Sequence, residues 1–278
     1  MAQVWLITGS SRGLGRALAD AVLAAGHKLL ATARDPSQLT DVAERFGHHV
    51  RVFALDVTDF SAAQRAVAAA VETFGRLDVL VNNAGYGNVG PIEDTSIAEL
   101  RAQIEANLFG VINLTKAAIP VMREQGSGHI FQFSSVGGRI GAMGRAGYSA
   151  AKWGVEGFSE VLAKETAPLG IKVTIVEPGG FRTDFAGAST ILSAGRPEYD
   201  STVGAAARFQ RDYSGKQPGD PAKAANVILQ LALMGDPPLR MLLGSDAVQA
   251  VEKADQARMD ADRKWRHMSV STDYEVPQ

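Results

Sequence analysis

The chain is 278 residues long, 46% hydrophobic, and carries a formal net charge of −2. That length admits one large domain or two small ones, and the near-neutral balance gives no electrostatic footprint for nucleic acid or an anionic membrane. Cysteine is absent, which excludes disulfides, thiolate metal sites and cysteine nucleophiles. The histidines (His27, His48, His49, His129, His267) show no ligand spacing, so no metal is expected.

Val4–Thr8 reads as a strand entered without a basic leader, so no secretory signal is expected. Helix Leu14–Ala25 and strand Lys28–Ala33 follow, then helix Ser37–Phe46, strand Val50–Leu55, helix Ser61–Phe74 and strand Leu77–Val81. Beyond them come a helix near Ile97–Met122, strand His129–Phe133, a helix around Tyr148–Pro168 and strand Lys172–Val176. Helix Pro221–Leu233 and strand Arg240–Leu243 complete the alternation. Val79, Leu80 and Val81 are apolar in succession, as expected of a strand covered on both faces. The pattern predicts an α/β fold with a doubly wound parallel sheet of the Rossmann type, and ligands at the strand carboxyl ends.

No repeat or long linker divides residues 1–278, so a single domain is expected. Residues 184–219, rich in Gly, Ala and Ser, are too long for an ordinary connection and read as a substrate lid. Residues 245–268 read as a charged C-terminal helix, with Asp260/Lys264 and Asp262/Arg266 at i, i+4. No run of about 18 apolar residues appears, and a soluble, cytoplasmic protein without a membrane partner is expected.

Thr8-Gly9-Ser10-Ser11-Arg12-Gly13-Leu14-Gly15 directly follows the first strand. Its glycines permit a tight turn and close approach to a pyrophosphate, at a helix start whose N–H groups and dipole favour an anion. The second strand ends in Ala33-Arg34, with no acid at its tip for a ribose 2′-hydroxyl. Arg34 and Arg12 instead supply two planar donors for a 2′-phosphate, which predicts NADP(H) rather than NAD(H). Asp56-Val57, after the third strand, suits an adenine amino group. Asn82-Asn83-Ala84-Gly85, after the fourth, suits both bracing the sheet and lining the groove.

Tyr148 and Lys152 stand at i, i+4 on a helix, hence one above the other on a single face. A phenol titrates near 10, and an ammonium one turn away favours its ionised form. Ser135, thirteen positions upstream at a strand end, is placed to hold a carbonyl or alcohol oxygen beside that phenol.

These motifs, in this order, resemble those of the short-chain dehydrogenase/reductase family over roughly residues 3–245. The second half is similar to bacterial members related to 17β-hydroxysteroid and retinol dehydrogenases. The resemblance matches Asn107, Ser135, Tyr148 and Lys152 to a catalytic tetrad, and Pro178-Gly179 with Thr183 to a segment contacting the nicotinamide. It implies hydride exchange with a carbonyl or secondary alcohol. Tyr148 would be the proton donor, Ser135 would hold the oxygen, Lys152 would bind the nicotinamide ribose, and Asn107 would position a water that reaches Lys152. It also implies a homodimer or homotetramer packed through Asn107–Met122 and Tyr148–Pro168. Where many members carry Asn before the Pro-Gly pair, this chain has Glu177.

The expected pocket walls are Tyr86–Val89, Val136–Met143, Phe181–Phe185 and the lid. Their large side chains (Val89, Ile140, Met143, Phe181, Phe185, Ile191, Leu192, Phe209, Tyr213) favour a small-molecule hydrophobic ketone or aldehyde. Arg139, Arg145 and Arg182 leave room for an anionic group. A non-catalytic nucleotide-binding regulator would not need the four tetrad positions together. An epimerase or dehydratase of the extended branch usually has a Gly-x-x-Gly-x-x-Gly turn and a larger C-terminal domain, and this chain has neither.

Overall fold

A computed structural model describes residues 2–187, 190–193 and 195–274. Seven strands form one parallel sheet: β1 (Val4–Ile7), β2 (Lys28–Ala33), β3 (Val50–Ala54), β4 (Val79–Asn82), β6 (Gly128–Phe133), β7 (Ile171–Pro178) and β9 (Arg240–Leu243). Their spatial order is β3-β2-β1-β4-β6-β7-β9, so the winding reverses between β1 and β4. At such a reversal the helices leave to opposite faces and open a crevice at the strand carboxyl ends.

Alternation along each strand divides the core. Trp5, Ile7, Leu29 and Ala31 point to the face covered by helices α1 (Gly13–Ala24), α2 (Thr40–Phe46) and α8 (Pro221–Leu233). Leu6, Leu30, Leu80 and Ile130 point to the other, under α3 (Phe60–Phe74), α5 (Gly110–Gln125) and α6 (Ala146–Thr166). Each such fully buried large side chain contributes about 1.5–3 kcal/mol. The helix edges follow local chemistry. Asp59 caps α3 by accepting from the Ala62 N–H at 3.1 Å, and Gly75 ends it at φ +86°.

The structure departs from the predicted elements in three places. The single helix expected over 97–122 is α4 (Ile97–Ile104), a π-turn (Glu105–Phe109) and α5, with Asn107 inside the wide turn. The segment after β7, expected to be irregular, contains strand β8 (Thr190–Leu192), which pairs in parallel with the short β5 (Gly87–Val89), and helix α7 (Ala205–Tyr213). Ala188, Ser189 and Ala194 of the predicted lid lie outside the described residues. The C-terminal helix α9 is longer than predicted, Ser245–Val270. No helix among the described residues is long and apolar enough to cross a membrane.

Candidate active site

A groove of about 1290 Å³ runs along the carboxyl ends of the main sheet, from Arg34 and Asp35 at one end to Phe209 and Tyr213 at the other. Every residue expected to bind coenzyme or act in chemistry lines it except Gly15, which lies behind the turn. A Cβ on Gly15 would run into the Gly9 carbonyl and the Asn83 amide, so this glycine serves the packing of α1 against the turn and not the groove surface.

The turn that opens the groove is held from below. Asn83 donates its side-chain amide to the Thr8 carbonyl at 2.9 Å and to the Gly9 carbonyl at 3.2 Å. The Thr8 hydroxyl accepts from the backbone N–H groups of Asn83 and Ala84, both at 2.9 Å. Asn82, buried beneath, donates to Gln132 at 2.8 Å and to Thr115 at 3.0 Å. The tetrapeptide therefore does both things expected of it. Gly9 and Gly13 hold φ of +68° and +59°, the left-handed region that other residues avoid.

Arg12, the N-cap of α1, makes no side-chain cap, and the first turn of α1 holds no acid. Its leading N–H groups and positive dipole end thus face the groove uncompensated, which suits a pyrophosphate. Arg12 and Arg34 are exposed and form no ion pair among the described residues. Asp35, at the same end, accepts from the Ser37 N–H at 3.0 Å and the Ser37 hydroxyl at 2.7 Å. Asp56 and Val57 line the same end. Thr183 sits against the turn, its Cβ 3.5 Å from where a Cβ on Gly13 would lie. Gly179 leaves room for Asp246, whose Oδ1 would be 2.5 Å from an added Cβ and whose Oδ2 accepts from the Gly180 N–H at 2.7 Å. These features fit a bound dinucleotide.

At the middle of the groove, four side chains from three elements converge. Tyr148 and Lys152 are buried on one face of α6, and Ser135 follows β6. Ser135 accepts from the Gly137 N–H at 3.0 Å, and its hydroxyl is near enough to the Tyr148 phenol to pull that group's pKa down. The Lys152 Nζ donates to the Phe133 carbonyl at 2.7 Å and lies 5.8 Å from the Tyr148 ring centre. Asn107 is wholly buried, its amide donating to the Tyr86 carbonyl and the Gln103 carbonyl, each at 3.0 Å. Its Oδ1 has no partner among the described residues and faces Gly85, 2.5 Å from where a Cβ would sit; the Lys152 Nζ is 3.8 Å from the same point.

The electrostatics differ from the expectation built on Lys152 alone. Burial pushes the Tyr148 phenol up, against the opposing pulls of the Ser135 hydroxyl and the Arg145 charge. The net direction is therefore upward, and the cation acting on the phenol is Arg145, three residues earlier, with its guanidinium carbon 5.8 Å from the ring centre. Burial likewise lowers Lys152, to about 8, against the charge of Glu156 one turn further along α6. Nothing in the Tyr-x-x-x-Lys spacing signals Arg145, because desolvation depends on the walls that the rest of the chain erects.

Glu177, at the position where Asn was expected, is wholly buried. It accepts from Arg139 at 3.2 Å, and Arg240 approaches to 3.6 Å. Burial and the nearby Glu156 push its carboxyl up, opposed by Arg139 and Arg240. Arg139 also pairs with Asp255 of α9 at 2.6 Å, so it is spent on a structural network and does not line the groove. Among the apolar side chains expected at the pocket, Phe181, Phe185, Phe209 and Tyr213 line it. Val89 instead packs with Val203 and Ala207, with Leu192 beside them, while Met143 and Ile191 are exposed.

A family model described as short chain dehydrogenase matches residues 3–191. The chain belongs to the short-chain dehydrogenase family. Oxidoreductase BOA17 of Botryotinia fuckeliana (strain B05.10) is 50% identical over 274 residues, covering 98% of this chain and 100% of that protein. A short-chain dehydrogenase structure from Streptomyces avermitilis is 41% identical with a TM-score of 0.92, covering 98% of this chain and 100% of its own. A metagenomic short-chain oxidoreductase solved with NADP is 28% identical with a TM-score of 0.70, covering 87% of this chain and 96% of its own. The short-chain dehydrogenase described here is thus an oxidoreductase of the nicotinamide-dependent kind acting on CH–OH groups, with the Rossmann-type parallel sheet expected from its sequence.

Proposed function

We propose that this short-chain dehydrogenase reduces the carbonyl of a hydrophobic ketone or aldehyde with NADPH, and oxidises the corresponding alcohol in reverse. The observation that carries the reading is the convergence of Ser135, Tyr148, Lys152 and Asn107 on one stretch of a groove whose outer end is aromatic. The coenzyme, when bound, supplies the hydride. Tyr148 is the proton donor to the oxygen that develops charge, and a phenol pushed up by burial is protonated at neutral pH, ready for that role. Ser135 donates to the same oxygen, stabilising charge that grows only in the transition state. Lys152 holds the nicotinamide ribose. The unpartnered Asn107 Oδ1, sharing its space with Lys152, suits a water that returns the proton from solvent.

Preference for the phosphorylated coenzyme rests on Arg12 and Arg34 at the adenine end, since related folds hold NADP or NAD. The segment 184–219 is read as a lid over the substrate end within a single domain. Ala150, Trp153, Gly157 and Val161 form an exposed stripe at helical spacing on α6, and Phe109 stands exposed at the start of α5. They support a homodimer or homotetramer through these helices. Light scattering checks that assembly, and a monomeric mass removes it. The enzymatic reading is tested by NADPH consumption against a panel of hydrophobic ketones and aldehydes, with NADP+ reduction by the matching alcohols. No turnover of any member, with NADPH bound, overturns it.

A further inference from the structure

Arg145 precedes α6 at its N-cap position and reaches the substrate end of the groove. Its Nη2 donates to the Gln210 side chain of α7 at 2.9 Å, and its Nη1 lies 3.1 Å from where a Cβ on Gly87 would stand. Among the described residues no carboxylate lies within ion-pair distance of this guanidinium, whereas the other candidate groove arginine, Arg139, holds two. The remaining one, Arg182, is exposed and donates to the Gln217 carbonyl at 2.7 Å. The Tyr148 ring centre lies 5.8 Å from the Arg145 guanidinium carbon and Phe185 stands beside the same Gly87, so the charge is partly desolvated; burial lowers its pKa and only the Tyr148 phenol opposes that.

An uncompensated guanidinium in an apolar wall is costly unless something anionic completes it. A guanidinium presents a fork matched to a carboxylate. The Gly9–Gly15 turn and the arginines of the adenine end, which would hold the coenzyme's phosphates, lie toward the opposite end of the groove and leave Arg145 to another anion. We propose that the natural substrate is a hydrophobic keto acid, or the matching hydroxy acid, whose carboxylate seats on Arg145 while its carbonyl meets Tyr148 and Ser135. Arg145 is then a specificity-determining residue: it orients the substrate by its acid group, and the aromatic wall takes the apolar body. The inference rests on the carbonyl-reductase reading for its chemistry. In that reaction the carbonyl carbon gains the hydride and its oxygen a proton, while NADPH is oxidised to NADP+.

Binding tests it apart from turnover. With the enzyme saturated with NADP+, calorimetry compares 4-phenylbutyrate with 4-phenylbutyramide, two probes of like shape that differ in charge. The acid is expected to bind about tenfold or more tightly than the amide, and Arg145→Met brings the ratio close to one. Gln210→Glu keeps the arginine and its contact to α7 but supplies an internal carboxylate, and it too collapses the ratio. Equal binding of both probes by the native enzyme, no detectable binding of either, or a ratio that survives both substitutions overturns the proposal. In parallel, 3-benzoylpropionate and its methyl ester are compared as substrates with NADPH. Preference for the acid that disappears in Arg145→Met supports the assignment. Acid-selective binding without turnover of either compound would leave Arg145 as the anion site and count against the reductase reading instead.

Discussion

The inner floor of the groove and its outer wall are built in different ways. The floor is made from strand ends and the turns that follow them: Thr8–Gly15 after β1, Asn82–Gly85 at the end of β4, Ser135 after β6 and Pro178–Gly179 at the end of β7. Several of its polar groups are paired with one another across the sheet, as Asn83 is with Thr8 and Gly9. The outer wall hangs on one connection. It rests on the short β5–β8 pair, the small cluster of Val89, Val203 and Ala207, and surface ion pairs such as Arg196 with Glu93 at 2.8 Å. A rigid floor holds proton and hydride chemistry to a fixed geometry, while a wall with its own small core can change shape and residues without disturbing that geometry.

Substitutions can set these two regions against each other. Tyr148→Phe acts on the floor and is expected to lower turnover by about 10²–10⁴-fold while NADPH still binds. Fluorescence titration beside steady-state rates checks this, and retention of most activity would remove the phenol from the reaction. Arg34→Ala, at the far end of the floor, is expected to weaken NADPH by about ten- to a hundredfold and leave NADH nearly unchanged; equal losses would place the 2′-phosphate elsewhere. Phe209→Ala belongs to the wall. It is expected to raise KM for bulky apolar substrates several-fold, by about the 2 kcal/mol or less that partial loss of an aromatic contact costs, without altering coenzyme affinity. If coenzyme affinity fell as well, the two regions would not be separable.

A pH profile sharpens the same division. Lys152 is lowered to about 8, so its ammonium is present below that pH and is lost as pH rises through it, not near 10.5 as for a free lysine. The reduction rate at saturating NADPH is expected to fall on the alkaline side with a midpoint near 8, and Lys152→Arg should flatten that limb. Since Tyr148 is shifted upward, its own ionisation should not appear below that midpoint.

The floor is also the region that could be read from the sequence. Residues such as Gly9 and Asn83 lie within a few positions of a strand end, where the local pattern places them, while Ser135 is told from Ser134 by the thirteen-residue spacing to Tyr148 that the resemblance supplies. The alternating apolar runs gave the sheet and its helices for the same reason. Asn107 comes from the family resemblance, but the π-turn that presents it is not foreseeable, because its sequence Glu-Ala-Asn-Leu-Phe reads as ordinary helix. The wall was not legible in detail. β5 and β8 have only three residues each and lack a period long enough to recognise, and their pairing joins positions about a hundred residues apart. Arg145 passed as one of three arginines. Only the structure separates it from Arg139, which meets Glu177 and Asp255 through contacts 38 and 116 positions distant.

The π-turn at Glu105–Phe109 has a consequence for how the chain tolerates changes in length. A widened turn carries one residue beyond what a regular helix needs, and removing one, Ala106 for instance, would let α4 and α5 fuse into a continuous rod. Each residue advances a helix by about 100°, so the side chains on one flank would swing relative to those on the other. Asn107 could then no longer face Gly85 while α5 kept its seat against β4 and β6. A one-residue deletion in a helical segment would thereby withdraw the Asn107 amide from beside Lys152, with the hydroxyl, phenol and ammonium all still in place.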